Sequence, residues 1–141
     1  MSKLRYFYSI LPGSIVLRPY VPAVAINLLN GKSSEFVAVL DTGADKTTLS
    51  DEILEKLEID ISSLPVSPVW GIQEAVPLPV CDFIAIGLVE FRTGLQHFPN
   101  DQKPVPAYFA PRPSNLLGRD SFLNLCRTCF DGPNQFAELE F

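Results

Sequence analysis

Residues 36–45, Phe-Val-Ala-Val-Leu-Asp-Thr-Gly-Ala-Asp, constrain this chain more than any other stretch. Five apolar residues run without a break into Asp41. A Val-rich run of that length reads as a strand buried on both faces. Asp41 falls where the strand ends and the Thr42-Gly43 turn begins. Gly43 is expected to take backbone angles closed to other residues and to let another segment approach closely. Alone, Asp-Thr-Gly would be an ordinary turn signal, since Asx-turns with glycine are common. The buried run ahead of it, Ala44 behind it and a second informative stretch at Asn115–Asp120 point further. They describe a carboxylate held at the end of a rigid strand, on a turn that leaves its oxygens free.

The totals narrow the setting. A chain of 141 residues suits a single domain, here 1–141. It is 47% hydrophobic and 19% charged, enough to build a core and too apolar for disorder. Thirteen prolines and ten phenylalanines favour strands and turns over helices, so the fold class expected is mainly β with one or two short helices. Eleven basic against sixteen acidic residues leave a net charge of −5, with no basic cluster, which argues against nucleic acid or an anionic membrane as partner. Three cysteines and the lack of an Asn-x-Ser/Thr sequon point to a reducing, cytoplasmic compartment. The N-terminal apolar run is short and cut by Pro12-Gly13, so it does not read as a signal peptide, and no stretch is long enough to span a bilayer.

In chain order, residues 4–11 and 14–18 read as two short strands around the Pro12-Gly13 turn. Residues 24–29 read as a strand, and Asn30-Gly31 is a hairpin signal whose return strand is the run into Asp41. Lys46–Leu49 continues as a short strand. Ser50 is a plausible helix N-cap, with Ile53, Leu54 and Leu57 on one helical face. Val66–Val76 reads as a hairpin with Gly71-Ile72 near its tip, and its prolines keep it at an edge or as a projection. Trp70, the sole tryptophan, either packs on the core or lies over a cleft. Residues 80–91 form another strand, and Tyr108–Ala110 a short one. Ser121–Leu125 follows a helical pattern after Gly118-Arg119-Asp120. Cys126–Phe130 and Gln135–Phe141 read as a final hairpin about the turn Asp131-Gly132-Pro133-Asn134.

Four segments together resemble the retroviral-type aspartic proteases, the retropepsin family. They are Arg18-Pro19-Tyr20-Val21, Val39 to Asp45, Trp70-Gly71-Ile72, and Pro113 to Asp120. The resemblance spans roughly residues 16–130. It implies a small closed β-barrel-like fold, one lobe per chain, acting on peptide or protein substrates as a homodimer with no cofactor and no metal. Catalytic Asp41 would come from each subunit. Thr42 would hydrogen-bond its mate and Gly43 would offer its carbonyl to substrate. Ala44, Asp45 and Lys46 would line the cleft, with Trp70, Gly71 and Ile72 as a flap over it. Asp45, Arg119 and the partner chain's Arg18 would form an ion cluster, and Leu116, Leu117 and Gly118 would floor the site. The requirement for two chains also follows from the sequence: this chemistry needs two carboxylates, and the chain holds one Asp-Thr-Gly and is too short for two lobes. Three departures stand out. The flap tip has a single glycine, strands at about 1–15 precede the family's usual start, and a hairpin at about 131–141 follows its usual end.

Other constellations carry less. Cys126-Arg127-Thr128-Cys129 is one Cys-x-x-Cys; a zinc site wants about four ligands, only Cys81 and His97 remain as further thiol or imidazole candidates, and positions three apart on a strand face opposite sides, so no metal or redox role is expected. His97, the sole histidine, reads as a surface loop residue. The acidic residues Asp51, Glu52, Glu55, Glu58 and Asp60 read as a solvated face. There is no phosphate-cradling glycine loop and no Ser-His-Asp set with a choice of histidine. An alternative of another class remains: the same fold serving as a peptide-binding or dimerisation module without proteolysis.

Overall fold

The computed structural model describes residues 2–70, 73–111 and 114–141. The Asn30-Gly31 turn organises the first half of the barrel. It joins β2 (Tyr20–Asn27) to β3 (Ser33–Leu40), antiparallel with Tyr20 opposite Val39. Gly31 sits at φ +77°, a left-handed position open to glycine. β4 (Thr48–Ser50) follows the Asp41 loop and leads into helix α1 (Glu52–Lys56). Asp51 caps the helix without a side-chain bond, and the Ser50 hydroxyl instead accepts from the Glu52 N–H at 3.4 Å. Ile53, Leu54 and Leu57 are buried together, as their spacing predicts.

β5 (Val66–Trp70) and the long β6 (Ala75–Val89) form the proline-rich hairpin. Its outer half projects, with β5 paired to β6 alone. The inner half of β6 turns into the barrel through a register shift between Cys81 and Ile84. Beyond it come β7 (Gln96–His97), β8 (Val105–Ala110) and β9 (Asn115–Leu117). The strand order β2-β3-β9-β4-β8-β6 closes on itself through the β2–β6 pair, where Ala23 faces Leu88. Six strands thus make a closed barrel that leaves no free edge within it. Phe109, Phe122, Leu49, Leu57, Ile84, Leu88 and Leu117 fill it, fully buried.

The two termini meet. β1 (Lys3–Phe7) pairs with β11 (Phe136–Glu140), which pairs with β10 (Arg127–Asp131), giving a three-stranded antiparallel sheet. Leu4, Tyr6, Ala137 and Leu139 point from it into the same core as the barrel residues. The Tyr6 hydroxyl donates to the Val89 carbonyl at 2.9 Å, and burial pushes its pKa well up, so it stays a donor. This corrects the expected N-terminal hairpin. Residues 4–11 do not pair along 14–18; beyond the turn bond from the Ser14 N–H to the Leu11 carbonyl, a lone Ser9–Arg18 bridge joins them. β1 alternates exposed and buried along its length, and the face carrying Leu4 and Tyr6 is better covered by the C-terminal hairpin than by a short loop return.

Two further expectations change. The helical pattern after Gly118 reduces to a 3-10 turn at Leu123–Leu125. Ser121, Phe122 and Leu123 are buried in succession, which a helix with one apolar face cannot achieve. His97 is not a loop residue: it lies half-buried in β7, its Nε2 3.0 Å from Glu90 and its ring edge-on to Phe141. No helix among the described residues is long and apolar enough to cross a membrane.

Candidate active site

Asp41 leaves the end of β3 as the pattern predicts. The Leu40 N–H donates to the Pro19 carbonyl at 3.0 Å, and the Asp41 N–H to the Leu117 carbonyl at 3.1 Å. The first bond carries the antiparallel β2–β3 register one residue beyond Tyr20, and the second continues the parallel β3–β9 register, in which Leu40 faces Leu117, one residue past the strand. The Asp41 backbone is therefore as fixed as the strand, while its half-buried side chain reaches out of the barrel end.

The loop then folds back on its own carboxylate. The Gly43 N–H donates to Asp41 Oδ1 at 2.9 Å, and the Ala44 N–H to the Asp41 carbonyl at 3.2 Å. One carboxylate oxygen is thereby held by a backbone donor. Gly43 does not adopt a left-handed φ, contrary to the sequence expectation. Its role is close approach, since a Cβ there would lie 3.2 Å from Asp41 Oδ1. Thr42 and Gly43 are exposed at the loop crest and Ala44 is half-buried.

β9 runs between β3 and β4, so the Asp41 loop must cross its end to reach β4. Gly118, the first residue beyond β9, lies beneath that crossing. A Cβ there would come within 2.4 Å of the Lys46 carbonyl oxygen and 2.9 Å of that of Ala44, which only glycine avoids. The Arg119 N–H donates to the Ala44 carbonyl at 3.0 Å and the Asp120 N–H to that of Asp45 at 2.9 Å. Leu116, half-buried, lies opposite Val39 on β9, and Leu117 is fully buried with its carbonyl accepting from the Asp41 N–H.

Two residues given no role by the sequence complete this arrangement. Thr47, fully buried, accepts the Gly118 N–H on its Oγ1 at 3.1 Å, while its carbonyl takes the Tyr108 N–H at 3.0 Å. Asn115, also buried, donates to the Val37 carbonyl at 3.0 Å and accepts the Ser50 N–H at 2.7 Å. Its one amide ties the strands on either side of β9. The signal in the sequence was a polar residue set against Leu116-Leu117 and a hydroxyl opening a buried strand.

Two ion pairs flank the loop. Asp45 bonds Arg119, and Lys46 Nζ meets Asp120 Oδ2 at 2.5 Å. The hydrogen bond from Lys46 holds the Asp120 carboxyl below its usual value, and the same bond pushes the Lys46 ammonium up. Both pairs are open to water, so they contribute little to stability and more to placing charge beside Asp41. Arg18 stands apart, exposed, and among the described residues forms no ion pair within its own chain. Trp70 is 75% exposed at the end of β5, so it does not pack on the core. Gly71 and Ile72 lie outside the described residues, as does Pro113 of the fourth matched segment.

Cys126 and Cys129 do not come together as ligands. Cys126 is tucked against the Phe122 carbonyl, and burial pushes its thiol up to about 12, while Cys129 is exposed on β10.

No protein-family model matches the chain, and no curated protein matches it. Among solved structures, the crystal structure of a retropepsin-like aspartic protease from Rickettsia conorii superposes with a TM-score of 0.61 at 16% identity. The match covers 98% of this chain and 91% of that one. The fold is retropepsin-like. At this coverage the shared fold takes in the terminal strands as well as the barrel, so the segments that read as additions to the family pattern fall within the superposition. At this identity the likeness is one of backbone architecture, and the chemistry has to be argued from this chain's own residues.

Proposed function

We propose that this chain is an aspartic endopeptidase that works as a homodimer, one Asp41 coming from each copy. The observation that carries the reading is the placement of Asp41. It stands at the end of a barrel strand, its backbone fixed by Leu117 and one carboxylate oxygen held by the Gly43 N–H. The crest formed by Thr42 and Gly43 is uncovered in the single chain, as a face meeting its symmetry mate requires.

Two carboxylates about 3 Å apart share one proton, as in the aspartic proteases that serve as the standard case. The ionised member takes a proton from a water between them, and the water oxygen adds to the scissile carbonyl carbon. The protonated member hydrogen-bonds and then protonates the carbonyl oxygen, giving a tetrahedral diol. Return of a proton to the amide nitrogen breaks the C–N bond and releases an acid and an amine. In this reading Thr42 bonds its mate beneath the dyad and the Gly43 carbonyl receives substrate backbone. Ala44, Asp45 and Lys46 line the cleft, and the hairpin bearing Trp70, Gly71 and Ile72 covers it. The Asp45–Arg119 pair receives the partner's Arg18.

The test is cleavage of a mixed peptide library between about pH 4 and 7, read by mass spectrometry, for wild type and Asp41→Asn side by side. Cleavage by wild type alone is expected. Peptide retention without turnover, equal in both proteins and with the dimer intact, would replace the enzyme by a peptide-binding module.

A further inference from the structure

Strand β1 is bonded along one edge only. Ser2 and Phe141 exchange two backbone bonds, and the Tyr8 N–H donates to the Gln135 carbonyl, all on the β11 side. Antiparallel pairs alternate between bonded and unbonded. Leu4 and Tyr6 therefore also bond β11, and the N–H and C=O groups of Lys3, Arg5 and Phe7 point the other way. Among the described residues no strand pairs with that side. Ser9, next in the alternation, does have a partner there, since it exchanges two bonds with Arg18. A neighbouring strand thus begins along this edge and stops. The chain turns at Pro19, with the Tyr20 N–H donating to the Arg18 carbonyl at 2.9 Å, and β2 departs to pair with β3.

The place that strand leaves is open. A groove of about 910 Å3 runs beside β1, within the range of about 300–1,000 Å3 usual for ligand sites. Away from β1 its lining includes Pro22, Val37 and Phe91, the last 87% exposed. Its charge runs against that of the whole chain, which is −5. Lys3, Arg5 and Arg92 line it, and Lys3 and Arg5 share the one Glu138 carboxylate. Arg92 is exposed and forms no ion pair among the described residues. The acidic lining residue, Glu90, is already engaged by His97 Nε2 at 3.0 Å.

The filled edge shows what β1 accepts. On β11, Glu140 faces Lys3 and Glu138 faces Arg5, while Leu139 and Ala137 alternate with them and turn to the core. We infer that the open edge takes a second strand of the same kind: an extended segment of another protein in which acidic residues alternate with apolar ones. Its backbone pairs with Lys3, Arg5 and Phe7. Its carboxylates face Lys3 and Arg5, and its apolar side chains turn onto Pro22, Val37 and Phe91. In strand addition the main-chain bonds supply affinity and the alternate side chains supply selectivity. Cations along an open edge also keep purely apolar strands from adding, which leaves an acidic strand as the one that fits. The inference does not depend on the proposed peptidase reaction, since none of these residues is assigned to the cleft.

The experiment is fluorescence anisotropy with a capped, dye-labelled peptide alternating valine and glutamate. It is titrated with the full chain carrying Asp41→Asn, so that nothing is cut. Saturable binding is expected. Lysine in place of glutamate, or the same residues gathered into one apolar and one acidic block, should weaken it at least about ten-fold. N-methylation of alternate peptide residues tests the backbone pairing. In one register it removes the bonds to β1 and should abolish binding; in the other it points away from β1 and should cost far less. Phe91→Asp and Arg92→Glu alter exposed side chains, so each should keep the wild-type melting midpoint and still bind at least about ten-fold more weakly. Full affinity in both folded variants overturns the inference. So do equal binding of the lysine peptide, equal effects of the two N-methylated registers, and no binding of the glutamate peptide at all. Loss of a wild-type dimer in Phe91→Asp, with no peptide bound by either protein, would give the groove to a second copy and likewise sink the proposal.

Discussion

At the scale of single residues, the site is a carboxylate on a loop whose shape depends on what does not fit beneath it. Gly118→Ala places a methyl 2.4 Å from the Lys46 carbonyl oxygen, and both neighbours at that point are backbone, which cannot swing aside. The loop must lift, at a cost of about 1–3 kcal/mol. The prediction is a lower urea midpoint together with a fall in peptide cleavage, because the lifted loop carries Asp41. Thr47→Val removes the acceptor of the Gly118 N–H while keeping the shape of the side chain. A buried donor left unpaired costs about 1–3 kcal/mol, whereas Thr47→Ser, which keeps the hydroxyl, should lose clearly less. A loss in Thr47→Ser with none in Thr47→Val would mean that the methyl matters and the hydrogen bond does not. Asp41 was legible in the sequence because burying an unpaired carboxylate is costly, so one that closes a buried apolar run has to emerge at the strand end. Thr47 and Asn115 were not, because their roles arise only once β9 passes between β3 and β4 and brings residues more than sixty positions apart into contact.

At the scale of elements, local chemistry announced the hairpins and stayed silent on the partners. Asn30-Gly31, the proline-bounded stretch around Trp70 and the Asp131–Asn134 turn each carry their own signal, and each forms the hairpin expected. The β1–β11 pair joins Lys3–Phe7 to Phe136–Glu140 from opposite ends of the chain, and no turn signal reports it. Its rim is electrostatic. Arg5 Nη2 lies 2.7 Å and Lys3 Nζ 3.2 Å from the Glu138 carboxylate. Arg5 chiefly, with Lys3, holds the Glu138 carboxyl below the usual glutamate value of 4.5. A carboxyl depressed in the folded state adds stability above its unfolded pKa and loses it as pH falls through the folded one. The terminal sheet should therefore loosen in acid below about 4.5. Melting curves taken downward from neutral pH should show wild type and Glu138→Gln converging there, with wild type ahead at neutral pH. A constant gap between them would place the effect elsewhere. Between β10 and the turn before it, the two nearby thiols should differ sharply. Cys129 is exposed, while burial pushes Cys126 up to about 12, so alkylation of the native protein should label Cys129 well before Cys126.

At the scale of the whole molecule, the barrel is closed and the terminal sheet is attached to its core, yet the chain carries a single Asp-Thr-Gly and leaves its Thr42-Gly43 crest exposed. If the active unit is a pair with one Asp41 from each member, inactive chains must poison active ones. Mixing wild type with an equal amount of Asp41→Asn, under conditions where copies exchange freely, leaves about a quarter of the dimers with two intact carboxylates. Activity should fall to about a quarter of that of the same total amount of wild type, because the mixed pair has no second carboxylate to share the proton. A chain that acted alone would retain half. Asp41→Asn keeps every backbone contact of the loop and replaces one oxygen, so its dimers should form as readily as wild type. Sedimentation of the mixture would check that equality, and a fall to one half with full exchange would mean that the second Asp41 takes no part in the reaction.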